Sequence, residues 1–286
     1  MRILATGCTG LTGRHFLRAT EGGHEVVALT RREPPAELEP LADWVVADLA
    51  SPLDRSALPE SIDSVVHLAQ SERFRELPER ADDVFAVNVA ATFGLLDYAR
   101  RAGASSFVLA STGGVYARSD EPLRESDPVE TGDFYFRSKH LAEQLLKGFS
   151  EHFRTVVLRP FFIYGPGESQ LLIPRLAASV RAGEKIRIEG ERGLLINPIY
   201  AADAAAAVES AASGDAQGVV NVAGPENVSI SGLVDLLGEL LGGIPEVEHS
   251  GEEPGVLLGD TSRMRSELGA EPVVGIREGL EALLAD

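Results

Sequence analysis

The chain has 286 residues, 44% hydrophobic and 24% charged, with no long biased tract, so it is long enough to bury a core and is not a disordered or fibrous protein. Its formal net charge of −18 argues against nucleic acid or an anionic membrane as a partner. A lone Cys8 rules out an internal disulfide or a cysteine metal cluster, and the six histidines lack metal-ligand spacing, so no metal is expected.

The first buried strand is predicted at 3–5, where β-branched and apolar residues run together. It meets a glycine turn before a secretory apolar segment could form, and no apolar run approaches ~18 residues, so a cytoplasmic protein is expected. That turn is Gly7-Cys8-Thr9-Gly10-Leu11-Thr12-Gly13, with a glycine at every third position and a helix opening behind it. Glycine permits positive φ and lets backbone N–H groups approach a pyrophosphate at the positive end of a helix. Placed between a hydrophobic strand and a helix, the turn predicts dinucleotide binding by Gly7, Thr9, Gly10, Leu11, Thr12 and Gly13. Cys8 fits there as a small side chain.

The second strand, 26–29, runs into Thr30-Arg31-Arg32, where a carboxylate would receive an adenosine 2′-hydroxyl. None is present. Thr30 can donate to a 2′-phosphate and Arg31 and Arg32 can pair with one, so NADP(H) is favoured, with NAD(H) the alternative. The third strand, 44–46, leads to Asp48, read as either an acceptor for the adenine amino group or a helix N-cap. Further strands are predicted at 65–68, 107–110 and 156–158. Between them lie helices at 86–101 and 135–149, the latter turning Leu141, Leu145 and Phe149 to the sheet. This repeated β-α order predicts an α/β fold, a doubly wound Rossmann-type parallel sheet covered on both faces, over 1–165. Gly- and Pro-rich turns then signal a smaller α/β substrate lobe at 166–199 and 223–286. A helix at 201–212 and a strand at 219–222 would rejoin the first domain. His67 is read as a packed residue near the cofactor.

Tyr135 and Lys139 stand four residues apart, on one face of a helix, and Ser111-Thr112 closes the fifth strand at the edge where open α/β sheets bind ligands. A phenol near pKa ~10 is a poor base at neutral pH, but a neighbouring cation can lower it by ~1–3 units. Lys139 is that cation on this reading.

With these residues in order, the sequence resembles the extended short-chain dehydrogenase/reductases, the NAD-dependent epimerase/dehydratase group, over nearly its whole length. The glycine loop, His67-Leu68-Ala69, Asn88, Ser111-Thr112-Gly113-Gly114-Val115-Tyr116, the Tyr135/Lys139 pair and Leu158-Arg159-Pro160-Phe161-Phe162 all match its motifs. So do Asn197-Pro198-Ile199-Tyr200-Ala201-Ala202-Asp203 and Asp260-Thr261-Ser262-Arg263. The resemblance implies that Tyr135 shuttles a proton, Thr112 shares the substrate oxygen, and Lys139 also binds the nicotinamide ribose. It further implies cofactor contacts from Leu49, Leu68, Ala69, Gln70, Asn88, Pro160 and Phe162, and substrate contacts from Thr112, Gly113, Phe161 and Asn197, with Arg175 a candidate cation for a diphosphate in place of the family's usual arginines. A homodimer packed through two helices is common in that family.

Several positions depart from the family pattern. Gly113-Gly114 replaces the acidic pair that dehydratases use after the catalytic Thr, and glycine cannot abstract a proton, so elimination and carbon-acid epimerisation are disfavoured. Phe162 stands where asparagine is usual, Ile196 where an arginine often grips a diphosphate, and Glu252-Glu253-Pro254-Gly255 lacks the second arginine. What remains is hydride transfer at a secondary alcohol or ketone of a sugar-like small molecule, as a nucleotide-sugar 4-epimerase or 4-ketoreductase. The alternatives are a dehydrogenase or reductase of a non-nucleotide small molecule and a non-catalytic NADP(H)-sensing protein.

Overall fold

The computed structural model describes residues 1–117, 119–252 and 254–285. The six early apolar runs become β1 (Arg2–Thr6), β2 (Glu25–Thr30), β3 (Asp43–Val46), β4 (Ser64–His67), β5 (Ser106–Ala110) and β6 (Arg154–Pro160). After them come β7 (Ile186–Glu189), β8 (Leu195–Ile196) and β9 (Gly218–Val222), the last of which rejoins the large sheet beside β6. Its seven strands are all parallel, in the order β3-β2-β1-β4-β5-β6-β9. The winding direction reverses between β1 and β4, so the chain leaves their carboxyl ends towards opposite flanks and opens a crevice there.

Helices cover both faces. On one side α1 (Leu11–Thr20) and α6 (Ala201–Ser213) pack Phe16, Leu17, Ala204, Ala207 and Ala211 against Ile3, Ala5 and Val156. The alanine content of α6 lets it lie close to both α1 and the sheet. On the other side, the helical run α2 (Ala81–Phe85), 86–90 and α3 (Ala91–Arg101) joins α4 (Phe134–Lys147) in burying Leu95, Leu96, Ala142 and Leu146 against Leu4, Val65 and Phe107. The expected helix at 86–101 therefore starts earlier, at Ala81, and residues 86–90 take a π-helical turn. Such a bulge rotates a side chain away from the regular helix face. Here it buries Asn88.

The expected inward face of α4 holds for Leu145 and, just past the helix end, Phe149, which pack against the core, but not for Leu141, which is 48% exposed; Ser138, Lys139, Ala142, Glu143 and Leu146 are buried instead. Apolar spacing misled because polar groups with partners in the fold occupy the inward stripe. Asp133 starts the helix by accepting the Phe136 N–H at 2.8 Å.

The remaining elements are α5 (Leu172–Ala182), β10 (Val228–Ser229), α7 (Ile230–Leu241), β11 (Val247–Ser250), β12 (Val256–Leu257), α8 (Ser262–Leu268) and α9 (Ile276–Leu284). Strands β10, β8 and β12 form one small sheet, and β11 pairs with β7 in another. The tail is not confined to these: Met264, Leu268 and Ala270 insert into the core beneath the large sheet. The Asp203 carboxylate holds that tail, receiving the N–H groups of Val273 and Val274 at 3.0 and 2.9 Å. Among the described residues no helix is long and apolar enough to cross a membrane.

Candidate active site

A cleft of about 500 Å³ follows the carboxyl edge of the large sheet. At one end lies the glycine turn. Gly7 sits at φ +74°, and a Cβ at Gly13 would fall 2.1 Å from the Gly7 carbonyl oxygen, so any side chain there would push α1 off β1. The α1 N-cap is Gly10, which supplies no side-chain cap, and the first turn holds no acid, leaving free N–H groups and the positive helix end for an anion. Arg14, in that first turn, lies in the cleft wall and is steadied by donating to the Thr9 carbonyl at 3.0 Å. This cradle fits a dinucleotide pyrophosphate. Arg14 escaped sequence reasoning, although a cation directly after the last glycine was a readable signal.

Gly7, Thr9, Gly10, Leu11, Thr12 and Gly13 all line the cleft, as do Thr30, Arg31, Leu49, Leu68, Ala69, Gln70, Pro160 and Phe162. The proposed 2′-phosphate ligands are already engaged. The Thr30 hydroxyl donates to the Arg32 carbonyl at 2.8 Å, and Arg31 pairs with Glu72 at 2.8 Å. Arg32 is not in the wall. Asp48 also lies outside it, where its carboxylate closes a turn by accepting the Ala50 N–H at 3.0 Å. Asn88 acts one layer back: it accepts from the Ser71 N–H at 2.8 Å and donates to Ser138 Oγ at 2.9 Å, tying the segment after β4 to α4.

At the other end of the cleft, Thr112, Tyr135 and Lys139 share the wall. Thr112 ends the extended run after β5, and its oxygen accepts the Gly114 N–H at 3.1 Å, which leaves its hydroxyl proton to donate into the cleft. The phenol of Tyr135 donates to Gln70 Oε1 at 2.6 Å, and its ring packs on Phe74 at 4.7 Å. Arg75 lies over the Phe74 ring at 4.7 Å and donates to the Gln170 carbonyl, so this cluster links the segment after β4 to the loop before α5. Burial pushes the Tyr135 phenol above its ordinary value, Asp133 adds to the shift, and the opposing cation is Arg75. The expected lowering by Lys139 is therefore not what the structure gives, because desolvation outweighs a cation here. Burial lowers Lys139 to about 8, against a raising influence from Glu143.

Four expected substrate residues lie outside the cleft wall, three of them with other work. Phe161 is buried, and its ring fills the space a Cβ at Gly113 would need, at 2.7 Å. The Phe136 ring does the same at Gly114, at 2.2 Å. The two glycines are thus a packing requirement, and neither Gly113 nor Phe161 reaches the cleft wall. Asn197 is buried and clamps Gly259, donating to its carbonyl at 2.9 Å and accepting its N–H at 3.0 Å. Arg175 is exposed on α5, outside the wall. Phe162 does line the cleft, at φ +46°, a left-handed conformation that strains a bulky residue by ~1–3 kcal/mol.

Behind the wall is a charged network. Glu143 accepts from Arg159 Nε and Nη2 at 3.0 and 2.6 Å, from Ser111 Oγ, and approaches His140 Nδ1 at 3.2 Å. Arg159 lies over the Tyr116 ring at 4.5 Å. Beside it, His67 is buried between two threonines. Thr92 donates to the Asn88 carbonyl and so must accept from His67 Nε2, which leaves Nδ1 to accept from Thr6. That tautomer satisfies every group with a neutral ring. Burial, with Lys139 adding to it, lowers His67 to about 3 from 6.5. The unfolded chain protonates near 6.5 and the folded one near 3, so stability is full above pH 6.5 and falls as pH drops through that window. The expected slope is ~1.4 kcal/mol per unit, about 2 kcal/mol between pH 6.5 and 5. Denaturant unfolding at both pH values checks this, and His67→Asn should flatten the slope.

Cys8 is buried, which raises its thiol to about 12 and makes it unreactive. Among the described residues no cluster suits a metal ion.

The profile of the NAD dependent epimerase/dehydratase family matches residues 3–223, the span from β1 to just past β9. The chain belongs to that family. Among curated relatives, it is 32% identical to a dTDP-4-dehydro-6-deoxy-D-allose reductase of Streptomyces sp over 98% of this chain and 94% of that one. It is 33% identical to a 2-alkyl-3-oxoalkanoate reductase of Stenotrophomonas maltophilia over 72% of this chain and 64% of that one. Among solved structures, MoeE5 in complex with UDP-glucose and NAD superposes with a TM-score of 0.85 at 28% identity, covering 100% of this chain and 98% of the other. The chain is an enzyme of that family, built on the Rossmann-type sheet and crevice described above.

Proposed function

We propose that the protein transfers hydride at a secondary alcohol or ketone of a nucleotide-linked sugar, as a 4-ketoreductase or 4-epimerase. The observation that carries this reading is that Tyr135, Thr112 and Lys139 share one cleft with the pyrophosphate cradle. The reductase relative and the sugar-nucleotide complex of MoeE5 support the substrate class. Gly7, Gly10, Gly13 and Arg14 would hold the pyrophosphate, and Lys139 the nicotinamide ribose. A bound nicotinamide dinucleotide supplies or accepts the hydride. For the protein's part, Thr112 and Tyr135 donate hydrogen bonds to the reacting oxygen, and the protonated Tyr135 gives up its proton as that oxygen gains negative charge. Arg75, the cation that opposes the rise of the phenol, favours the phenolate so formed.

The cofactor reading moves from NADP(H) to NAD(H). Thr30 and Arg31, the residues that favoured a 2′-phosphate, are bonded to Arg32 and Glu72, and MoeE5 holds NAD. A second copy of the chain is proposed to cover Phe93 and Leu141, large apolar side chains exposed on α3 and α4. A cytoplasmic setting suits the single buried thiol.

A second reading, reduction of a non-nucleotide ketone, is favoured by Ile196 at a clamp position, by the apolar wall of Phe162, Leu171 and Ile173, and by the alkanoate-reductase relative. Competition by free nucleoside diphosphates separates the two. For the chemistry, a nucleotide sugar deuterated at C4 is expected to pass its label to the nicotinamide. In deuterated water, C3 and C5 should gain no label beyond background, since Gly113 and Gly114 carry no acid or base. Rapid exchange at C3 or C5 would overturn the assignment.

A further inference from the structure

Strand β2 ends at Thr30 without a carboxylate, yet the structure supplies one at the same end of the cleft from elsewhere. Glu72 opens the short helical turn 72–76 after β4, its start fixed by Ser71 Oγ accepting the Arg73 N–H at 3.0 Å. From there it reaches Arg31, at the carboxyl end of β2, with Oε2 2.8 Å from Nη2, and both residues line the cleft. In sheets of this kind the end of β2 lies by the adenosine ribose. A 2′-hydroxyl can donate to a carboxylate there. A 2′-phosphate would meet its negative charge and would find Arg31 already paired, with the Thr30 hydroxyl turned to the Arg32 carbonyl.

We propose that Glu72, held in place by Arg31, is the residue that sets cofactor selectivity, disfavouring NADP(H) relative to NAD(H). This rests on the NAD(H) reading above and assigns it to a side chain on the helical turn after β4 rather than at the end of β2. Both side chains are solvent-exposed, 46% for Arg31 and 76% for Glu72, so the effect is moderated by screening and amounts to about tenfold rather than thousands.

Calorimetric titration of NADH and NADPH into the full chain tests it. The unmodified protein should bind NADH more tightly. Glu72→Gln removes the charge and frees Arg31, so NADPH affinity should rise by about tenfold. NADH affinity should weaken by no more than a few-fold. Adding Arg31→Ala to that variant should abolish the gain. Thermal unfolding, expected to be unchanged within about 2 °C for an exposed pair, confirms that the variants fold. If the unmodified protein prefers NADPH, the NAD(H) reading itself fails. If it prefers NADH and Glu72→Gln leaves the ratio unchanged, that reading stands and the role of Glu72 is overturned. A gain that survives Arg31→Ala overturns the part assigned to the pair.

Discussion

Tyr135→Phe is expected to lower turnover by about 10²–10⁴ while leaving NADH affinity within a few-fold. The substitution removes one oxygen and keeps the ring, whose packing on Phe74 at 4.7 Å and against Phe136 at 5.4 Å does not need it. Gln70 loses a hydrogen bond but lies beside open cleft, where water can replace it. Steady-state rates on a 4-keto nucleotide sugar, with cofactor titration as the control, check this. A variant that keeps most of its activity would remove Tyr135 from the chemistry. The pH dependence adds a second readout. Burial keeps the phenol protonated well past neutrality, so ketone reduction, which needs the acid, should hold its rate through neutral pH. Alcohol oxidation needs the conjugate base and should rise with pH over the same range. Sensing without turnover would leave both profiles flat.

Glu143→Ala is expected to give the largest loss of stability, ~3–5 kcal/mol, because it strands the buried Arg159 guanidinium without its anion. Arg159 already carries a buried Nη1 with no hydrogen-bond partner, so it has little else to turn to. For a chain of this size the melting temperature should fall by about 10 °C. Replacing both partners, as Glu143→Leu with Arg159→Met, should recover much of that loss, since two apolar groups leave no unpaired charge. If the double variant is as unstable as the single one, the cost lies in packing rather than in charge. Glu143→Gln keeps the shape and reads a different property. Glu143 is the group that opposes the fall in Lys139, so in this variant Lys139 should drop further below about 8. The alkaline limb of the rate profile should move to lower pH, a change that a purely structural role would not produce.

The glycine cradle and the Tyr135/Lys139 spacing are legible in the sequence because they are local. A backbone turn that admits no Cβ and two residues one helical turn apart need only their own segment to be recognised. The parallel sheet is legible for a similar reason: strands buried on both faces are short, uniformly apolar and separated by helices. The inward face of α4 is legible only in part, since hydrophobic period places Leu145 and Phe149 against the core but misplaces Leu141 and cannot reveal that Glu143 belongs inside. Its place depends on Arg159 and Ser111, which lie on other strands or at their ends.

The sequence alone thus determines a dinucleotide fold with a phenol and an ammonium at its sheet edge. Only the folded chain decides which side chains face the cofactor and which hold the wall from behind. Tyr135 meets Gln70 across 65 residues, and Arg31 meets Glu72 from the helical turn after β4. Gly113 is glycine because the Phe161 ring arrives from β6, and Asn197 turns to Gly259 rather than to a substrate. Each of these contacts joins segments whose separation in sequence carries no periodic signal. Their consequences for charge, from the raised phenol to the guanidinium claimed by Glu72, follow from burial and proximity that packing alone creates.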